Sequence, residues 1–242
     1  MINCLPELVL LTIFNYFTDA ERINCILALV CRQWYHIVHS GALWKKVNFD
    51  YQRRVTHDIL DKFVYAGTRQ VLLSECCFLK WTDICAVLRR CKKIEVLIAP
   101  WIGYKKGTVP DITGMLNIQN MSFLDLSHCK VTDSLSNQIP DTCPVLEFFQ
   151  LQDCQEITED AYINSNFKTH EHLKILNVAG NREALSPRSV IELLKCNKGR
   201  VFLDIRGHRL TQAEFAAITR AHPDAVERFF EDVDDYVHML PV

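Results

Sequence analysis

Apolar positions along this chain follow two rules that change over near residue 44. Before it they recur at helical spacing. Leu5 to Phe17 is apolar around most of a helix, more than one packed side can hide. A second helix is expected from Thr18, whose hydroxyl and Glu21 three residues on form a capping box, with Ile23, Ile26, Leu27 and Val30 on one face. A third, carrying Trp34, Ile37 and Val38, ends at Ser40-Gly41. Three helices in so short a stretch bury too little surface to cover these side chains, and what is left uncovered reads as an interface.

After residue 44 a shorter pattern repeats: an apolar residue, two others, an apolar residue, one other, an apolar or small residue. Its second apolar position falls at Val47, Leu72, Leu97, Leu124, Phe149, Leu176, Leu203 and Phe229, at intervals of 25 to 27 residues. So steady a period predicts one strand per repeat in a solenoid. Capping hydroxyls in Trp81-Thr82-Asp83, Thr132-Asp133, Ser186-Pro187 and Leu210-Thr211 predict a helix after several strands, and Thr211 with Glu214 forms another capping box. The apolar stripes behind them include Ile84, Val87 and Leu88, then Val190, Leu193 and Leu194, then Phe215 and Ile218.

Leu5-Pro6-Glu7, Ile13-Phe14, Tyr16-Phe17, Val30-Cys31-Arg32-Gln33-Trp34 and Leu43-Trp44-Lys45-Lys46-Val47 stand in the order and spacing of the F-box, and residues 5 to 47 resemble that family. Phe17 departs from it, standing where the family usually has Leu. The resemblance implies docking on the Skp adaptor of cullin-based ubiquitin ligases through Leu5, Pro6, Leu8, Ile13, Phe14, Val30, Leu43 and Trp44. Met121 to Cys129, Leu146 to Cys154 and Leu173 to Asn181 fit L-x-x-L-x-L-x-x-N/C, so the remainder resembles leucine-rich repeats of the cysteine-containing class. The fold class expected is α/β: a three-helix F-box over residues 1–46, a short curved leucine-rich-repeat solenoid of about seven to eight repeats over 47–235, and a tail over 236–242.

Composition narrows the partners. The chain has 242 residues, 49% hydrophobic and 23% charged, enough apolar content for a substantial core. A formal charge of -2 supplies no positive field to gather phosphate backbones or an anionic membrane, so neither nucleic acid nor a membrane is an expected partner. No apolar run approaches the ~20 residues of a membrane span. The F-box pattern starts four residues after Met1, leaving no room for a leader peptide, so the cytosol or nucleus is the expected location. Eleven cysteines without a C-x-x-C pair do not suggest zinc or disulfides. Cys77, Cys129 and Cys154 take the repeat's last position, and Cys91, Cys143 and Cys196 fall near helix ends, where small inert thiols fit. No metal or cofactor is expected.

Alternation along the strands sends one column of residues outward: Val71, Val96, Phe123, Phe148, Ile175 and Phe202. Beside it run Leu73, Ile98, Asp125, Gln150, Asn177 and Asp204. Apolar residues in register beside polar ones form the candidate target-binding face. The alternative is that the apolar tail Tyr236 to Val242, behind the acidic Glu231 to Asp235, folds back over it. A second candidate surface is the loop Trp101 to Pro110, with Trp101 and Tyr104. Arg53-Arg54 and Arg89-Arg90 with Lys92-Lys93 read as solvated helix ends, and His170-x-His172 as a polar turn. No hydrolase or nucleotide motif occurs, and alternation points His128 away from Asp125 and Ser127, so the chain is expected to bind and not to catalyse. It reads as a ligase substrate receptor that bridges the Skp adaptor, and through it a cullin, to a target protein. The alternative is a scaffold that uses the adaptor alone.

Overall fold

The computed structural model describes residues 5–17, 29–103, 109–112, 118–163, 166–181, 185–195, 201–208, 210–221 and 223. The expected second helix up to residue 28, Tyr104, Cys196, the eighth strand at Phe229 and the tail lie outside these residues. Among them the order is α1 (Glu7–Phe14), α2 (Arg32–Val38), a 3-10 turn (Gly41–Leu43), β1 (Lys46–Asn48), α3 (His57–Phe63), β2 (Gln70–Leu72), α4 (Trp81–Leu88), β3 (Val96–Ile98) and β4 (Phe123–Asp125). There follow α5 (Asp133–Thr142), β5 (Phe148–Gln150), α6 (Asp160–Ile163), a 3-10 turn (Asn166–Thr169), β6 (Ile175–Asn177), α7 (Pro187–Leu194), β7 (Phe202–Asp204) and α8 (Gln212–Ala221). No described helix is long and apolar enough to cross a membrane.

The seven strands form one parallel sheet in strict sequence order. Val47, Val71, Leu97, Leu124, Phe149, Leu176 and Leu203 occupy the middle of successive strands, all fully buried in one core with helix residues such as Leu60, Ile84, Leu88, Ile139 and Leu193. The register corrects one expectation. The core residue of β2 is Val71, not Leu72, and Leu73 is also in the core, so neither Val71 nor Leu73 faces outward. Three consecutive apolar residues leave the phase of this strand open, and a slip of one exchanges its faces. The position that would fix it, three before Val71, holds Thr68. That residue is buried because its hydroxyl donates to Trp44 O at 2.7 Å and accepts from Tyr65 N at 3.0 Å.

The third residue after every strand takes a left-handed conformation: Tyr51, Glu75, Trp101, His128, Asp153, Gly180 and Gly207, with φ from 53° to 84°. This turn carries the ladder past the strands. Tyr51, Trp101, His128, Asp153 and Gly180 each donate their N–H to the neighbouring repeat, at 2.7 to 3.0 Å. Glycine suits position 180, where φ is 74° and an added Cβ would lie 2.2 Å from Asp153 Oδ1 and displace that carboxylate.

The next position closes five of these turns from inside. Cys76, Cys129 and Cys154 donate their thiols to the carbonyls of Phe49, Ala99 and Leu126 in the preceding repeat, at 3.3 to 3.4 Å. His208 Nε2 donates to Val178 O in the same way, at 2.9 Å. Buried Asn181 accepts from Cys154 N at 2.7 Å and donates to Tyr162 Oη at 3.1 Å. The shifted phase of β2 thus puts Cys76 in the turn and leaves Cys77, the expected residue, exposed. Burial pushes the Cys76 and Cys154 thiols up to about 12, so they stay protonated.

The helices are tied together at the same period. Thr158 donates from N and Oγ1 to the Asp133 carboxylate at 2.8 and 2.6 Å, and Ser186 and Ser189 donate to Glu159. The caps at Thr132, Ser186 and Thr211 form as expected, the last with Glu214 in a full box. Thr82 does not cap: α4 starts one residue earlier, and Asp83 accepts from Lys80 N at 3.2 Å. His170 is also more than a polar turn. It is buried, donating from Nε2 to Cys143 O at 2.9 Å and accepting Leu173 N on Nδ1 at 3.2 Å.

Replacing Asn181 by Leu removes the acceptor of buried Cys154 N and the donor to Tyr162 Oη, and is expected to lower the unfolding free energy by about 1–3 kcal/mol in urea titration. His170→Ala should cost a similar amount for the same reason. A change below about 0.5 kcal/mol in either would show that these groups do not hold the turns.

Candidate functional site

Two surfaces carry the expected binding residues. The first is the N-terminal helical unit. Phe14 packs edge-on against Trp34, with ring centroids 4.8 Å apart, and is buried with Leu10, Ile37, Val38, Leu43 and Trp44. Leu5 and Ile13 are partly buried against this core, and Gln33 Nε2 donates to Leu5 O at 3.3 Å. Phe14, Leu43 and Trp44, which the resemblance implies as adaptor contacts, are therefore packed inside the chain's own core. A motif shared across a family includes residues that hold the fold as well as those that dock. Leu8 and Val30 remain outside at 75% and 50% exposure, with Pro6 also exposed. Val9, at 41% exposure, was missed because alternation around an all-apolar helix gives no phase.

Trp44 also joins this unit to the sheet. Its Nε1 donates to Val38 O at 2.6 Å, its carbonyl accepts from Thr68, and its ring lies 4.7 Å from that of Phe63. Tyr65 Oη donates to His39 O at 2.9 Å, while Arg69 and Gln70 donate their N–H groups to Lys45 O. The helical unit and the first two strands thus share one packed core.

The second surface is the sheet face away from the helices. Strand register aligns Val96, Phe123, Phe148, Ile175 and Phe202 in one column, and Leu72, Ile98, Asp125, Gln150, Asn177 and Asp204 in the next. Phe123 and Phe148 stack with centroids 5.4 Å apart. The apolar column is not exposed as expected: Leu72, Val96, Ile98, Phe123, Phe148 and Ile175 form a second cluster at only 2–9% exposure, while Phe202 at its end keeps 42%.

Polar residues in the second column are held by their own loops. Asp125 accepts from Ser127 N at 2.8 Å, Asn177 from Ala179 N at 3.0 Å, and Asp204 from the Arg206 guanidinium at 2.8 to 3.2 Å. Burial raises the Asp125 carboxyl above the usual carboxylate range, against the lowering effect of its bonds to Ser127. At the rim, Trp101 stacks on His128 with centroids 3.9 Å apart and planes within 10°. His128 Nδ1 lies 3.7 Å from Asp153 Oδ2, and burial lowers its pKa. Asp125 is thus paired with Ser127 while His128 faces Trp101 and Asp153, so the imidazole does not lie between the other two as a proton relay needs. Arg53 pairs with Glu75 at 3.3 Å and Arg90 with Asp61 at 2.7 Å, so both basic clusters contain a structural tie.

A carboxyl whose folded pKa is raised ionises more easily in the unfolded chain, so it lowers stability once pH rises above its unfolded value of about 3.9. Asp125→Asn keeps an acceptor for Ser127 N and should raise the melting temperature at pH 7. The gain should vanish near pH 3; an equal gain at both pH values would remove ionisation as its cause.

The family described as F-box-like matches residues 2–50, so the helical unit that buries Phe14, Trp34 and Trp44 and leaves Leu8, Val9 and Val30 in solvent is an F-box-like domain.

Proposed function

We propose that this chain is the substrate-recognition subunit of a Skp-cullin-F-box ubiquitin ligase. Residues 1–46 bind the Skp adaptor, residues 47–235 form a short leucine-rich-repeat solenoid that holds a target protein, and the chain works in the cytosol or nucleus. The observation that carries this reading is an F-box-like match over a unit that buries Phe14, Leu43 and Trp44 yet keeps Leu8, Val9 and Val30 in solvent. Leaving three aliphatic side chains in water costs solubility, and a protein partner removes that cost.

Sequential strand order, the period of 24 to 27 residues between the buried strand centres, and the Cys or Asn in the turns after β2, β4, β5 and β6 support the solenoid. The target face would offer Asp125, Gln150, Asn177 and Asp204 beside Phe123, Phe148, Ile175 and Phe202, with Trp101 at the rim. Asp125 sits where burial opposes its charge, and a group kept at the expense of stability fits a recognition role. The chain supplies no reacting group. Tethering raises the effective concentration of a target lysine near the conjugating enzyme.

Binding to purified Skp adaptor, measured by calorimetry, tests this. Leu8→Asp and Val30→Asp should weaken it at least about tenfold, or ~1.4 kcal/mol each, while leaving the chain's own unfolding free energy within about 0.5 kcal/mol. Trp44→Ala should instead cost about 3–5 kcal/mol of stability. No adaptor binding by the unaltered chain, or full binding by Leu8→Asp, rejects the reading. Recovery of a cullin with the adaptor supports the ligase assignment; recovery of the adaptor without a cullin makes the chain a scaffold.

A further inference from the structure

The tripeptide Phe-Leu-Asp occurs twice in the sheet, as β4 (Phe123–Asp125) and as β7 (Phe202–Asp204). Both copies end in the same local geometry, in which the aspartate accepts the backbone N–H two residues on, from Ser127 at 2.8 Å and from Arg206 at 3.1 Å. Both carboxylates stand in one column of the face away from the helices, with Gln150 and Asn177 on the rungs between them. The copies differ in the side chain that returns to the carboxylate. Arg206 lays its guanidinium across Asp204, with Nε 3.0 and 3.2 Å from the two oxygens and Nη2 2.8 Å from Oδ2, and leaves that side chain 1% exposed. Ser127, in the same place, gives Asp125 a hydroxyl and no charge.

Among the described residues, then, Asp125 is a carboxylate without a counter-ion. The charge that acts on it is a second carboxylate, Asp50. Part of Asp125 still reaches solvent. Beside it on β5, Gln150 is 8% exposed, and among the described residues its side-chain amide makes no hydrogen bond. A lone carboxylate and an idle amide oxygen are met by one kind of group, a cation that carries several N–H donors. Apolar surface adjoins them: Phe123 and Phe148, two residues before Asp125 and Gln150 on the same face, stack with centroids 5.4 Å apart. An aliphatic stem can lie along that pair while its charged head reaches the carboxylate.

We infer that Asp125 and Gln150 hold an arginine side chain of the bound target, its guanidinium taking on Asp125 the position that Arg206 takes on Asp204. Arginine fits better than lysine, because a planar fork meets both carboxylate oxygens, as Arg206 does, and keeps an N–H for Gln150. Burial raises the carboxyl of free Asp125, and a guanidinium on it favours the ionised form again. The inference rests on the proposed role of this face in holding a target and names the chemistry that the face reads.

NMR of the isotope-labelled full chain, with Nα-acetyl-arginine N-methylamide as the probe, tests it. The Ser127 amide and the Gln150 side-chain NH2 should shift together and saturate with a Kd on the order of millimolar, as suits a single side chain. The citrulline and lysine counterparts, which lack the charge or the fork, should bind at least about tenfold more weakly. Asp125→Asn should weaken the arginine probe by a similar factor, and Ser127→Arg, which supplies the guanidinium from within, should block it. Absence of saturating shifts overturns the inference, as does full binding by Asp125→Asn. Equal binding of the citrulline or lysine probe overturns it too, since the site would then read neither charge nor fork. Adaptor binding is measured on the same samples. A silent probe with intact adaptor binding removes the arginine site alone, whereas a bound probe without adaptor binding removes the ligase reading and leaves the site.

Discussion

Trp44 belongs to two structural units at once, and the arrangement of the molecule depends on it. Its ring closes the helical unit through Val38 and packs on Phe63 of the first repeat, while its carbonyl takes the Thr68 hydroxyl. Every one of these bonds is buried, where an unmade partner costs more than a made one gains. Tyr65 and His39 repeat the connection a few ångströms away. The consequence is mechanical. A helical unit on a flexible linker would sample many orientations, whereas one welded to the sheet holds the sheet face in a fixed direction.

Beyond the weld, the fold is built from contacts between neighbours. Cys76, Cys129, Cys154 and His208 each donate a hydrogen bond to a carbonyl one repeat earlier, and Asn181 accepts one from Cys154 N. Thr158 with Asp133 and Ser186 with Glu159 do the same for the helices. Such a chain gains stability rung by rung, so the end of the sheet tied to the helical unit is better supported than the β7 end.

What could be read from sequence follows from how strongly each signal was phased. Strands β3 to β7 were legible because a large apolar residue recurs at the centre of each, flanked in β4, β5 and β6 by apolar residues three before and two after, and the caps at Ser186 and Thr211 because the hydroxyl stands directly before its helix. Strand β2 was misread by one residue because Val71, Leu72 and Leu73 offer equal hydrophobicity and Thr68 hides the starting position. Thr82 misled because Asp83 performs the capping from inside the helix. At the candidate site the columns were legible, but their burial was not, since alternation says which way a side chain points and not what lies on it. Likewise the F-box motif named Phe14, Leu43 and Trp44 together with Leu8 and Val30, and only packing separates the residues that hold the domain from those that face out.

The central claim is that the helical unit and the repeat sheet are one cooperative body joined at Trp44. Native-state hydrogen exchange of the full chain, followed through rising denaturant, measures it directly. The slowest amides of Arg32–Val38 should merge with those of β1 to β3 into one opening event of the same free energy and the same denaturant dependence. If the helical amides instead open in a separate, cheaper step while the strands stay protected, the weld does not hold and the fixed geometry drawn from it is wrong.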